Sequence, residues 1–243
     1  MTCADPFLSV IIPAYNEASA LPATLEALQE AIRCTDRAVE VLIADDGSTD
    51  DTTRVAETHG IRCVSNPGKG VSSARNFGAR ESHGSYLLFL DADVIVSRWM
   101  IEELLDAIAK QGLLVGAPTA IYLPQKLSSW LICAYWDWKR LHGGSAQGVA
   151  QFYERNLFEE LGGYDEQMVM SEDFDLYIRA RGWTAQHDAP APQIVRSSVV
   201  WPSTRRYDRW SAARMLFFQN PVVSQAFRNS FTFWSGWRDR TIR

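Results

Sequence analysis

The sequence predicts an α/β fold, a mostly parallel sheet flanked by helices, and three observations carry that prediction. Tyr86-Leu87-Leu88-Phe89-Leu90 is an unbroken apolar run, the pattern of a strand buried on both faces of a parallel sheet. Two runs of the same kind lie upstream, at residues 7–12 and 39–44, with residues at helical spacing between them; strands alternating with helices imply right-handed βαβ units. The second and last of these runs also end alike, in Asp45-Asp46 and in Asp91-Ala92-Asp93. Open α/β sheets bind ligands outside the carboxyl ends of their strands, so these carboxylates gather where a ligand is expected.

In chain order, residues 7–12 make the first strand, which Pro13 should stop because it has no N–H for a ladder. Leu21, Leu25, Leu28 and Ile32 recur at helical spacing, with Pro22 tolerated in the first turn. The strand at 39–44 runs into Asp45-Asp46-Gly47-Ser48-Thr49-Asp50, and a short helix follows that Gly60 closes. Residues 61–64 make a third strand and 66–70 a loop. A helix beginning at Ser72 or Ser73 carries Arg75 and Asn76 in its first turn and leads into the 86–90 strand.

Beyond Asp93 the expected elements are an amphipathic helix over 99–111 closed by Gly112, a strand over 113–117, and a helix over 127–140 rich in tryptophan and tyrosine. Aromatics at that density are expected mostly in the core. His142-Gly143-Gly144-Ser145 reads as a joint and 148–153 as a strand that makes the sheet mixed. After Gly162-Gly163-Tyr164-Asp165-Glu166 comes a helix with Ser171 as N-cap and Gly182 as its stop. Phe174, Tyr177, Ile178 and Arg181 share one face of it, and Glu172 and Asp173 fall in its first turn.

With 243 residues, 47% hydrophobic and 22% charged, there is room for one large domain or a domain with an appendage. The net charge of −5 argues against a nucleic-acid partner. Cys3, Cys34, Cys63 and Cys133 lie far apart with no CxxC pair, favouring free thiols in a reducing, cytoplasmic compartment over a disulfide framework or zinc site. The first apolar run has no basic flank and is too short for a leader, so it is read as a strand. No stretch approaches the roughly 20 apolar residues of a membrane span.

Three acidic clusters, Asp45/Asp46, Asp91/Asp93 and Glu172/Asp173, are expected at or beside one sheet edge. So many carboxylates repel one another unless a cation or a ligand rich in hydrogen-bonding groups lies among them. A nucleoside diphosphate with Mg²⁺ or Mn²⁺ meets that demand, with Lys69 and Arg75 supplying positive charge and a helix N-terminus holding anionic oxygen. Two nucleotide folds are excluded: Lys69 is followed by Gly70 rather than Ser or Thr, against a Walker loop, and Pro13-Ala14-Tyr15-Asn16-Glu17 holds no dinucleotide glycine fingerprint.

Taken together, Ser9-Val10-Ile11-Ile12-Pro13-Ala14-Tyr15-Asn16-Glu17, the acidic run 45–50, Ala74-Arg75-Asn76, Asp91-Ala92-Asp93, Gly162-Gly163-Tyr164-Asp165-Glu166 and Glu172-Asp173 resemble the ordered motifs of family 2 glycosyltransferases of the GT-A fold. The resemblance covers residues 7–182 and implies a nucleotide-sugar donor, a UDP-sugar before a GDP-sugar, a divalent metal, and inversion at the anomeric carbon. It implies a domain over 1–200, with a nucleotide-binding part at about 7–93 and an acceptor part at 94–200, ahead of a tail at 201–243. Carried over by position, Pro13, Tyr15 and Glu17 would line the nucleoside pocket, with Tyr15 near the base. Asp45 would accept from the base, Asp46 would support its loop, and Arg75 would reach the base or phosphate side. Asp91 would hold the ribose or a metal-bound water, Asp93 would ligate the metal, and Glu172 would stand beside Asp173, the general base. Asp175 is the weaker candidate base.

The chain departs from the pattern downstream, where a histidine or Gln-x-x-Arg-Trp motif is expected. His187 comes too early, and the nearest cationic pair is Arg205-Arg206, a candidate clamp for the leaving diphosphate. The competing classes are a nucleotidyltransferase, which should carry a basic glycine-rich loop after strand one, and a non-catalytic nucleotide-sugar or glycan-binding protein, which should lack Asp93 or Asp173. From Arg205 onward eight arginines face two aspartates, interleaved with Trp210, Met215, Leu216, Phe217, Phe218, Phe227, Phe231, Phe233, Trp234 and Trp237. That composition suits an interfacial segment on an anionic bilayer; the expectation is peripheral attachment at the cytoplasmic face, with a glycan or lipid-linked acceptor. The alternative is that these aromatics pack under the domain or in a homodimer interface.

Overall fold

Eight strands form one sheet among the described residues: β1 (Leu8–Ala14), β2 (Val39–Asp45), β3 (Arg62–Ser65), β4 (Tyr86–Leu90), β5 (Val94–Val96), β6 (Val115–Ala120), β7 (Ala150–Glu154) and β8 (Gln193–Pro202). Their order is β3-β2-β1-β4-β7-β6-β8-β5. The computed structural model describes residues 7–127, 129–131, 133–134, 148–209, 211, 213–214, 217 and 220–234. From β3 to β4 all pairs are parallel, as the βαβ alternation predicts; β7 then runs antiparallel to both β4 and β6, and β5 antiparallel to β8. The sheet is therefore mixed.

Two-residue alternation divides the core. Leu8, Val10 and Ile12 of β1 with Leu88 and Leu90 of β4 share a core with α1 (Leu21–Ile32), α2 (Thr52–Thr58) and α4 (Met100–Gln111) through Leu25, Leu28, Ala56, Ile101, Leu104 and Leu105. Ile11, Leu87 and Phe89 face the other way, toward α3 (Val71–Glu81), α5 (Arg155–Glu160) and α6 (Glu172–Gln186) through Ala79, Phe158, Leu176 and Tyr177. Phe89 is the keystone of that second layer, with rings of Phe158 and Tyr164 5.1 and 5.0 Å from its own. Truncating such a buried ring to alanine costs about 3–5 kcal/mol.

Several sequence expectations change. Strand β1 runs through Pro13, which pairs in register with Ala44 of β2, while the β1–β4 ladder ends at Ile11↔Phe89. Pro13 is tolerated because one flank of the strand is already free at that point. Val94–Val96 is a strand, β5, joined to the sheet through β8. Helix α6 passes Gly182 and ends at Gln186, with His187 at its C-cap. Trp183 and Thr184 carry it on: the Trp183 indole donates to Glu160 and Thr184 is buried. Ser171 sits at the N-cap position in the left-handed region, φ 65°, and makes no capping side-chain hydrogen bond. The buried stripe of α6 is Glu172, Leu176, Tyr177, Ala180 and Thr184, leaving Phe174 and Ile178 exposed.

The aromatic helix expected over 127–140 is helical at its described positions, but Leu127, Trp130 and Leu131 point outward while Ser129 and Cys133 are buried. Its remainder, the joint at 142–145, Cys3, and the tail residues Trp210, Met215, Leu216, Phe218 and 235–243 lie outside the described residues. Among the described residues, the short helices α7 (Arg205–Arg209), α8 (Pro221–Phe227) and α9 (Phe231–Trp234) follow β8. Trp234 is fully buried, its indole donating to Phe227 O, and Phe227 stacks on Phe233 at 4.2 Å. This part of the tail packs against the body, where Val169 N donates to Arg228 O.

Candidate functional site

The carboxyl ends of β1, β2 and β4 open into a cleft of about 240 Å³ lined by Pro13, Tyr15, Glu17, Asp46, Arg75, Asp91, Asp93, Glu172, Arg205 and Arg206. Ten of the thirteen residues singled out from sequence thus meet in one cavity. Asp45 is buried behind it, Asp173 stands at its side, and Lys69 is exposed and outside it. The apolar wall, Ala14, Val71, Ala74, Ala92, Val169 and Met170, was not foreseen, because apolar residues at the ends of strands and helices carry no sequence signal distinct from core.

Local hydrogen bonds set each carboxylate. The turn after β4 is pinned from three sides: Asp91 N donates to Val149 O, the Thr24 hydroxyl to Ala92 O, and Ser203 N to Asp93 O. Asp46 accepts at 2.9 Å from Asn66 Nδ2 and, with both oxygens, from Gly70 N. Gly70 has φ 101°, backbone that glycine tolerates, and it precedes α3, so Asp46 fixes where that helix begins. Asp45 accepts from Ser48 N. Asn16, at φ 55°, accepts from Thr49 N, stitching the Tyr15–Glu17 loop to the acidic one.

Arg75 is the centre of the charge arrangement. Its side chain is 5% exposed, donates to Asp91 Oδ1 and Glu172 Oε1 at 2.9 Å each, and lies 5.1 Å above the Tyr164 ring. Removing one member of a buried ion set costs about 3–5 kcal/mol because the survivors stay desolvated. Asn76, next along α3, grips the glycine loop: its amide donates to Tyr164 O and Glu166 Oε1, and its oxygen accepts from Tyr164 N. The Gly-Gly-Tyr motif therefore delivers the ring under Arg75, a role the sequence did not disclose. Burial pushes Asp91 up to about 6, with Arg75 pulling it down and Asp93 adding to the rise. Burial, and then the like charge of Asp173, raises Glu172 as well.

Arg205 closes the mouth. Its Nη2 lies 2.8 and 2.6 Å from the two oxygens of Glu17 and 3.0 Å from Asp93 Oδ2. Asp173 begins α6 beside Glu172 and packs on Gly148 so closely that a Cβ there would sit 1.9 Å from Asp173 Oδ2. Asp175 is held aside by Arg179 at 2.8 Å. No group of three or more His, Cys, Asp or Glu among the described residues forms a metal cage. Asp91 and Asp93 at the cleft mouth offer hard oxygens of the kind that Mg²⁺ or Mn²⁺ takes together with phosphate, so the residues fit such an ion.

The sequence profile of Glycosyl transferase family 2 matches residues 9–161. Chondroitin synthase of Escherichia coli is 28% identical over 197 residues, 72% of this chain and 26% of that protein. The probable glycosyltransferase YdaM of Bacillus subtilis is 30% identical over 196 residues, 72% of this chain and 46% of that one. The chain thus spans about a quarter to a half of the length of these curated relatives. Among solved structures, a mannosyltransferase from Pyrobaculum calidifontis in complex with GDP-Man and Mn²⁺ superposes with TM-score 0.65 at 21% identity, covering 98% of this chain and 66% of that one. S. aureus TarS 1-349 in complex with UDP-GlcNAc gives 0.61 at 16%, covering 95% and 74%. Likeness at such identity establishes the GT-A type of fold.

Proposed function

Because the chain belongs to Glycosyl transferase family 2, we propose that its cleft binds a nucleoside-diphosphate sugar and that the protein transfers the sugar, with inversion, to an acceptor hydroxyl. The observation that carries this is the pairing of two arginines with the carboxylates of one cleft at the strand ends, with Asp173 beside it. Pro13, Tyr15 and Glu17 would line the nucleoside side and Asp46 would hold the α3 entry in place. Asp93, with Asp91, would hold Mg²⁺ or Mn²⁺, which when bound neutralises the leaving diphosphate. Arg205 and Arg206 supply further positive charge to that group.

Inversion needs attack from the face opposite the leaving diphosphate. Asp173 takes the hydroxyl proton as the acceptor oxygen bonds to the anomeric carbon and the bond from that carbon to the diphosphate breaks. One neighbouring structure holds UDP-GlcNAc and another holds GDP-Man and Mn²⁺, which supports a UDP- or GDP-sugar here. Release of UDP or GDP from a panel of such donors, with Mn²⁺ and in excess chelator, tests the reading; full turnover in chelator removes the metal role.

We also propose that the acceptor is met at an anionic membrane surface. No helix of the described residues is long and apolar enough to cross a membrane. The support is the outward face of Leu123, Leu127, Trp130 and Leu131, each more than half exposed, on a segment whose start is capped by Asp208 through Gln125 N and Lys126 N. Exposed Lys126, in that segment, and Arg209, next to Asp208, add the charge that anionic lipid complements.

A further inference from the structure

We propose that Arg205 holds the place of the divalent cation at Asp93 until a donor arrives, which makes metal and nucleoside diphosphate bind cooperatively. The inference rests on reading the cleft as a nucleotide-sugar site. Four of the five carboxylates lining it are held by two of its three guanidinium groups: Arg75 takes Asp91 and Glu172, and Arg205 takes Glu17 and Asp93. Arg205 is not there by accident of a long side chain. The β5–β8 register sets Val94 opposite Pro202, Ser203 N donates to the carbonyl of Asp93 itself, and Arg205 N donates to Ser203 Oγ.

A divalent ion can take Asp93 Oδ2 only by displacing that guanidinium, which is then left beside a second cation. A diphosphate alone meets carboxylates already repelling it. Together they resolve both conflicts, because phosphate oxygens accept the released Arg205 as well as the metal. Coupling of this kind is reciprocal: each ligand tightens the other by the same factor.

The test is Mn²⁺ binding by the full chain, read from the electron paramagnetic resonance of free Mn²⁺, with and without UDP or GDP. Wild type should bind Mn²⁺ alone weakly and tighten it with nucleotide. Arg205→Met should bind Mn²⁺ alone roughly three- to tenfold tighter, and nucleotide should add correspondingly less. Arg205→Lys, which keeps a cation in place, should stay near wild type, and adding Asp93→Asn to Arg205→Met should erase the gain. An Arg205→Met protein with unchanged or weaker Mn²⁺ binding, a gain of the same size in Arg205→Lys, or a gain that survives loss of the Asp93 charge overturns the inference. Failure of wild type to bind either nucleotide with Mn²⁺ overturns the nucleotide-sugar reading and the inference with it.

Discussion

Asp173 owes its position to a glycine. Its carboxylate and Cβ fill the space where any side chain at position 148 would begin, so Gly148→Ala must displace the carboxylate. Misplacing a catalytic group by about 1 Å can cost about 10²-fold, and a loss of that order in kcat, with Mn²⁺-dependent nucleotide binding retained, is the expected result. The near-isosteric Asp173→Asn leaves the packing alone and removes only the proposed base, so turnover should fall about 10²–10⁴-fold, while calorimetry still finds the nucleotide bound. Near-normal turnover in Asp173→Asn would move the role to another carboxylate. Asp175 is engaged with Arg179 and would need to break that pair to serve.

Between elements, the decisive contacts are polar side chains that tie loops to helices. Asn76 satisfies both the N–H and the C=O of Tyr164 from inside α3, so Asn76→Ala strands two buried backbone groups. That should cost about 1–3 kcal/mol, read as a lower urea midpoint at unchanged slope. Glu40 of β2 does similar service at the opposite end of the sheet. Burial pushes its carboxyl up, but donors from His83 N, Ser9 Oγ and the His83 ring hold it below its ordinary 4.5. A depressed pKa contributes stability above the unfolded value that is lost as pH falls through the folded one. The stability gap between wild type and Glu40→Gln should therefore be constant above about pH 5 and close in acid. Such elements were legible in the sequence where hydrophobic periodicity is long, as in β4 and α4. They were misjudged where a tertiary contact outweighs a local signal: Pro13 within a strand whose neighbour has ended, Gly182 within a helix that Trp183 and Thr184 extend.

For the molecule as a whole, the cleft residues were readable because acid after an apolar strand marks the carboxyl edge of a sheet. Their partners were not: Arg75 with Glu172, or Arg205 with Glu17 across 188 positions, are facts of topology. The outward turn of Trp130 was likewise not foreseen, since composition cannot tell which way a helix turns. Changing Leu127, Trp130 and Leu131 together to Gln should abolish co-sedimentation with anionic vesicles without lowering the melting temperature; equal binding to anionic and neutral vesicles, or no loss on substitution, would dismiss the membrane surface. The sheet order carries one more consequence. Strand β5 enters the sheet only through β8, about a hundred positions later, whereas β1, β2, β3 and β4 pair among themselves. Chains are made from the N-terminus at about 5–20 residues per second, so strands β1 to β4 can assemble seconds before Asp93 is anchored. On the proposed reading, an unfinished chain would cradle a nucleotide without a fixed metal seat, and transfer would begin only once the later half of the chain has closed the sheet.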